Sequence, residues 1–193
     1  MDRASHWSLL GSAAMAAVAL LWGGVPVVRG GTSGAKDAPA VTEFAWCSWG
    51  DNSNGQLGRA AAPGALHRAQ DWNDLARIAA GAYHSLMVRG DGSLWACGLN
   101  DSGRLGDGTA VTRRTPVQIL PGGVLLAAAG GAHSLILKTD GSLWACGSNG
   151  AGQLGDGTTT ASCTPVQVMP EGVAAVAAGG THSLIVKTDG SLW

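Results

Sequence analysis

Three histidines, His84, His133 and His182, fall 49 residues apart, and each is followed by a serine. Histidine is a common zinc ligand and a common base for a serine nucleophile, so a metal site and a His-Ser pair are the first chemistries to weigh. The surroundings argue against both. Ala178-Gly-Gly-Thr-His182-Ser-Leu-Ile-Val-Lys-Thr-Asp-Gly-Ser-Leu-Trp193 repeats the stretch from Ala129 to Trp144 almost letter for letter, and Ala80 to Trp95 is a looser copy. Equivalent positions in successive repeats are rotated about an axis and share one role, whereas a reacting centre takes an asymmetric set of partners. Adjacent strand residues point to opposite faces, so His133 and Ser134 cannot meet as base and nucleophile. No catalytic set, metal-ligating set or cofactor is expected. The histidines read as buried groups that hydrogen-bond a neighbouring loop.

Two other signals are read the same way. Asp107-Gly-Thr and Asp156-Gly-Thr lack the alternating acidic ligands of a calcium loop, and read as Asp capping a tight turn. Gly-x-x-Gly-Gln-Leu-Gly lacks the Lys-Ser/Thr ending of a phosphate loop.

The elements that position these residues follow from the period. After Ala127-Ala-Ala-Gly-Gly, His133-Ser-Leu-Ile-Leu-Lys-Thr139 has strand length and composition. Asp140-Gly141 then joins it to Ser142-Leu-Trp144-Ala-Cys-Gly147, and Asp-Gly between two apolar runs predicts a hairpin with a type I′ turn. Asp91-Gly92 and Asp189-Gly190 stand at the same place. Thr164-Pro-Val-Gln-Val168 and Val173-Ala-Ala-Val-Ala-Ala-Gly179 supply two more runs. Four short antiparallel strands per unit predict one blade of an all-β propeller. The repeat marks are His84, His133, His182, Trp95, Trp144, Trp193, the Asp-Gly pairs, and the glycines Gly98, Gly147, Gly106 and Gly155. Units are expected at about 44–80, 81–129 and 130–178, with a fourth begun at 179–193. Residues 41–193 then hold about three blades, an open arc read as a fragment of a longer chain.

Composition narrows the function. The chain has 193 residues and a net charge of −1, with 13% charged residues, 31 Gly and eight Trp. Beyond residue 40 the acidic residues outnumber the basic ones by eleven to nine, which argues against a nucleic-acid or anionic-lipid surface. Residues 4–28 carry no full charge, so 1–29 reads as a signal peptide or N-terminal anchor, and 30–40 as a flexible linker. The expected location is extracellular or in the cell envelope, with the membrane met only through that segment. Cys97 and Cys146 share one slot of the repeat while Cys47 and Cys163 do not, and spacing assigns no bridge. Small buried thiols inside strands are the simpler reading.

The joined motifs Trp-x-x-Gly-x-Asn-x-x-Gly-Gln-Leu-Gly-x-Gly, Pro-Val and Ala-x-Gly-x-x-His-Ser-Leu-x-x-x-x-Asp-Gly resemble the regulator of chromosome condensation repeat. Gly98, Asn100, Gly103, Leu105, Gly106, Gly108, Pro116, Val117, Gly130, His133, Ser134, Leu135, Asp140 and Gly141 carry the likeness, and each recurs 49 residues on. The resemblance covers about 150 of the 193 residues and is to a bacterial, exported type of member. It implies a seven-bladed propeller in a complete protein. Relatives exchange nucleotide on a small nuclear GTPase, bind chromatin, or inhibit β-lactamases with one propeller face. The leader and the acidic balance fit a nuclear exchange factor poorly.

Specific function is expected where the repeats differ: Arg59, Arg68 and Trp72 in the first unit, and Arg104, Arg113 and Arg114 in the second. Arg and Trp are enriched at interface hot spots. The expectation is a non-catalytic protein-binding propeller with a protein partner and no nucleic acid. The alternatives are an enzyme inhibitor that covers an active site, a support for a catalytic domain beyond residue 193, and guanine-nucleotide exchange.

Overall fold

A computed structural model describes residues 46–48, 51–59, 67–69, 72 and 74–193. The leader (1–29) and linker (30–40) lie outside the described residues. Among the described residues no helix is long and apolar enough to cross a membrane.

The chain is all-β. A short antiparallel pair, β1 (Trp46–Ser48) and β2 (His67–Ala69), comes first. Two four-stranded antiparallel sheets follow. The first full blade holds β3 (Leu75–Ala80), β4 (His84–Arg89), β5 (Leu94–Gly98) and β6 (Arg113–Leu120), paired in chain order. The second holds β7 (Val124–Ala129), β8 (His133–Lys138), β9 (Leu143–Gly147) and β10 (Ser162–Met169). A last hairpin pairs β11 (Val173–Ala178) with β12 (Ser183–Lys187). These are propeller blades set in an incomplete arc.

The sheets are out of phase with the sequence units drawn above. Val124–Ala129 pairs with His133–Lys138, and Val173–Ala178 with Ser183–Lys187, so each Ala-rich run opens a blade rather than closing one. The reason is local. Only three residues, 130–132, separate β7 from β8, and Gly130 N donates to His133 O (2.9 Å), which makes the nearer pairing a hairpin. Successive blades are joined where Val124 N donates to Gly92 O (3.0 Å) and Val173 N to Gly141 O (3.1 Å).

Burial tracks how each strand is covered. Strand β8 is buried at its first five positions because blades flank both faces. Strand β4 alternates, burying His84, Leu86 and Val88 and leaving Ser85, Met87 and Arg89 half-covered. The apolar core is layered between blades. One layer joins Leu86, Val88 and Leu94 to Ile136, and the next joins Leu135, Leu137 and Leu143 to Val173 and Ile185. Each fully buried Leu or Ile contributes about 1.5–3 kcal/mol, so the blades hold each other as much as they hold themselves. The Ala-rich strands β3 and β11 each pack against β7, where small side chains permit close approach.

The Asp-Gly hairpins form, but not with a two-residue turn. Arg89 N donates to Ser93 O (3.0 Å) and Gly92 N to Arg89 O (2.9 Å), with Gly92 at φ +79°. That is a three-residue loop ending in a left-handed glycine. The extra residue lets the carboxylate turn back: Asp91 Oδ1 accepts from Ser93 N (2.8 Å), and Asp140 Oδ1 from Ser142 N (2.9 Å).

Candidate functional site

The histidines sit at the joints between blades. His84 Nε2 lies 2.9 Å from Ser134 Oγ, and His133 Nε2 lies 3.0 Å from Ser183 Oγ. Each serine in turn donates to a loop carbonyl of the blade before it: Ser134 Oγ to Arg104 O (2.7 Å), Ser183 Oγ to Gln153 O (2.7 Å) and Ser85 Oγ to Gln56 O (2.6 Å). A hydroxyl has one proton, and here the carbonyl receives it. The histidine Nε2–H must therefore be the donor to Ser134, which leaves Nδ1 bare. Nδ1 of both His84 and His133 is buried without a hydrogen-bond partner. Each ring is seated on a glycine, and a Cβ added at Gly81 would stand 2.6 Å from His84 Nδ1. Burial, with Arg104 and then His133 nearby, lowers the His84 pKa to about 3, so the ring is neutral.

A serine within reach of a histidine invites comparison with a hydrolase. The direction of the proton is wrong for it, because the imidazole donates to the serine instead of accepting from it. His133 and Ser134 are also both fully buried. Sequence reasoning rejected the adjacent pair His133–Ser134 and did not see that His84 meets Ser134 across the blade joint. The available signal was the serine that follows all three histidines.

The other recurring polar residues are likewise engaged within the chain. Asn100 Oδ1 accepts from Leu105 N (2.9 Å), while its Nδ2 donates to Asp107 Oδ1 (2.9 Å) and Thr109 O (2.9 Å). Asn149 repeats this with Leu154, Asp156 and Thr158. Burial raises the Asp107 pKa, but bonds from Thr109, Arg113 and Asn100 outweigh it and hold the carboxyl below its usual range. Ser93, Ser142 and Ser191 each accept from the indole N–H two residues on, at 3.0 Å, in Trp95, Trp144 and Trp193. Arg89, Lys138 and Lys187 lie over those same three rings. The conserved spacing of Asp-Gly-Ser-Leu-Trp within the chain is thus a chain of hydrogen bonds: carboxylate to serine to indole.

The non-repeating residues separate into three groups. Arg104 is only 3% exposed; its Nη1 donates to Gly131 O of the next blade (3.0 Å) and its Nη2 bonds Asp101. It occupies the slot of Gln56 and Gln153 at a blade joint and is not presented to a partner, contrary to expectation. Arg113 Nε donates to Asp107 Oδ2 (2.7 Å), Arg59 Nη2 to Ser48 O (3.4 Å), and Trp72 packs edge-on against Trp95 with centroids 5.3 Å apart. Arg114 is exposed, as are Asp101 and Val111, the last at 57%. Asp101 and Val111 lie on the connection from β5 to β6 and Arg114 at the start of β6, and sequence reading had not singled out Asp101. The side chains of Arg68 and Cys47 lie outside the described residues. Among the described residues no group of three or more His, Cys, Asp or Glu is placed to hold a metal ion.

A blade-to-blade relay on four-stranded antiparallel sheets defines a repeat propeller. The chain belongs to the regulator of chromosome condensation repeat family. One family model for this repeat matches residues 91–137 and 140–186, and a second matches 76–104 and 126–153, so together they span more than half of the chain. A bovine (Bos taurus) secretion-regulating guanine nucleotide exchange factor is 42% identical over 73 residues, which is 35% of this chain and 16% of that protein. Among solved structures, human WBSCR16 aligns with a TM-score of 0.67 at 28% identity, over 76% of this chain and 41% of that one. Prp20p from Saccharomyces cerevisiae, described with its binding to Gsp1p and histones, aligns at 0.63 and 28% identity, over 76% of this chain and 40% of that one. The chain therefore spans about two fifths of the solved propellers it matches.

Proposed function

We propose that this chain is a protein-binding propeller segment without catalysis of its own. One observation carries the reading. The recurring histidines, serines, asparagines and indoles are buried or bonded within the chain, whereas Asp101 and Val111 on the β5–β6 connection and Arg114 at the start of β6 are exposed. An acid and an aliphatic group on that loop, with a guanidinium on the strand it leads into, suit a mixed protein surface. Relatives described as bound to protein partners, including yeast Prp20 with Kap60, support it. We further propose that residues 1–29 carry the chain to the envelope, on the strength of the uncharged stretch 4–28.

The test is cross-linking capture from the host's envelope fraction, followed by titration of the purified partner against the chain and against V111A/R114A. A loss of affinity of tenfold or more at unchanged unfolding midpoint is expected. Equal affinity would remove this loop from the interface, and a chain recovered wholly from the cytosol would remove the envelope reading.

The name of the bovine relative favours a second reading, guanine-nucleotide exchange on a small GTPase. It requires faster release of a fluorescent guanine nucleotide from such a GTPase when the chain is added. A release rate equal to the intrinsic one rejects it.

A further inference from the structure

Cys146 on β9 and Cys163 on β10 lie on neighbouring strands, which pair antiparallel with Ser162 opposite Gly147. Cys146 and Cys163 each directly adjoin that pair, at the edge of the irregularity that runs from Ser162 to Val166. Both thiols point towards the same loop of the preceding blade. Cys146 Sγ donates to Arg104 O (3.6 Å), and Cys163 Sγ lies 2.7 Å from where a Cβ on Gly103 would stand. Gly103 and Arg104 are consecutive, so both sulfurs lie against the same short stretch of that loop. Neighbouring strands lie about 4.7–4.9 Å apart, within the Cα span of a disulfide. Both thiols are free. The pair is not imposed by the repeat, because the first full blade has Cys97 in the slot of Cys146 but Arg114 in the slot of Cys163.

We propose that Cys146 and Cys163 form a thiol-oxidation site that closes to a cross-strand disulfide on meeting a small disulfide oxidant. Cys163, half-buried, is the point of entry, and Cys146 is fully buried. The Cys163 thiolate attacks the oxidant's S–S bond, forming a mixed disulfide and releasing one oxidant thiolate. The Cys146 sulfur, its proton lost, attacks Cys163 and releases the second. Two thiols become one disulfide, two protons leave, and the oxidant's disulfide is reduced to two thiols. Burial pushes the Cys146 thiol up to about 12, so the second attack is the slow step. Closure draws the Cys146 thiol from Arg104 O and leaves that carbonyl to Ser134, at the joint between the two full blades.

The full chain is exposed to oxidised glutathione, both in the folded state and during refolding from the reduced unfolded state. Free thiols are then alkylated and the chain is cut before Asp156, which separates the two cysteines; no Lys or Arg lies between them for trypsin. The expected product is a reductant-sensitive link between the Cys146 and Cys163 peptides, with Cys97 unlinked. Cys163→Ser removes the link and leaves Cys146 to be alkylated. Recovery of Cys163 as the glutathione adduct beside an unlinked Cys146 under both conditions overturns the proposal. So does a link from either residue to another cysteine.

Discussion

His84 in the first full blade donates its Nε2 proton to Ser134 in the second, over 2.9 Å. The serine passes its own proton to Arg104 O, back in the first blade, so the joint closes on itself. Both residues are buried, and neither has water to fall back on.

Breaking either end of that joint leaves a buried polar group unpaired. Ser134→Ala and His84→Ala should each lower unfolding free energy by about 1–3 kcal/mol. The double variant should lose less than the sum, with a coupling of about 0.5–3 kcal/mol. Urea unfolding of the four proteins measures it. A coupling near zero would mean that the blades do not share this bond.

The neutral imidazole makes stability depend on pH. The folded pKa of His84 is lowered to about 3 against an ordinary 6.5, mainly by burial. The unfolded chain therefore takes up a proton first as pH falls. The stabilisation is complete above about 6.5 and is lost as pH drops from there towards about 3, by at most ~1.4 kcal/mol per pH unit for this group. The pKa of His133 is lowered by burial as well and acts in the same sense. An unfolding midpoint that does not fall between pH 7 and pH 5 would contradict the assignment.

Arg104 is the second cause of the low His84 pKa. Gln occupies its slot at positions 56 and 153, where the side-chain carbonyl accepts a loop N–H: Asn54 N at 3.0 Å and Ala151 N at 2.9 Å. Arg104→Gln should keep the fold and make the acid-side loss of stability smaller. An acid limb unchanged from the parent would show that the guanidinium does not act on His84.

The glycine seats of the histidines are steric, and they can be told from glycines that are not. A Cβ at Gly130 would stand 2.6 Å from His133 Nδ1 and 2.7 Å from Gly179 O, whereas one at Gly150 meets nothing within 4 Å. Gly130→Ala should destabilise by about 1–3 kcal/mol. Gly150→Ala should be neutral or raise stability by up to about 1 kcal/mol. Thermal unfolding of the two variants compares them directly, and similar effects would refute the seat.

The all-β class, the four strands per unit and the Asp-Gly hairpins were legible because period-2 burial and turn chemistry are written locally. Blade phase was not. A repeat of 49 residues reads the same from any starting point, and only the short Gly130–Ala132 connection decides that β7 opens a blade. The turn type was misread because the Asp91 carboxylate bends back to Ser93 N, a side-chain bond outside the two-residue rule. Arg104 was misplaced for a related reason. A non-repeating arginine in a polar loop looks solvent-facing, yet its long stem runs into the joint and its head finds Gly131 O. The pairing of His84 with Ser134 was hidden because it spans 50 residues, one more than the period.

That extra residue has a genetic consequence. Each copy that carries the His-Ser pair brings both a histidine and a serine to its joints, so any such copy can follow any other. An unequal crossover that inserts or deletes one period in frame leaves each remaining joint with both its halves. Copy number can therefore drift between lineages without a compensating change at the seam, while the connecting loops diverge on their own.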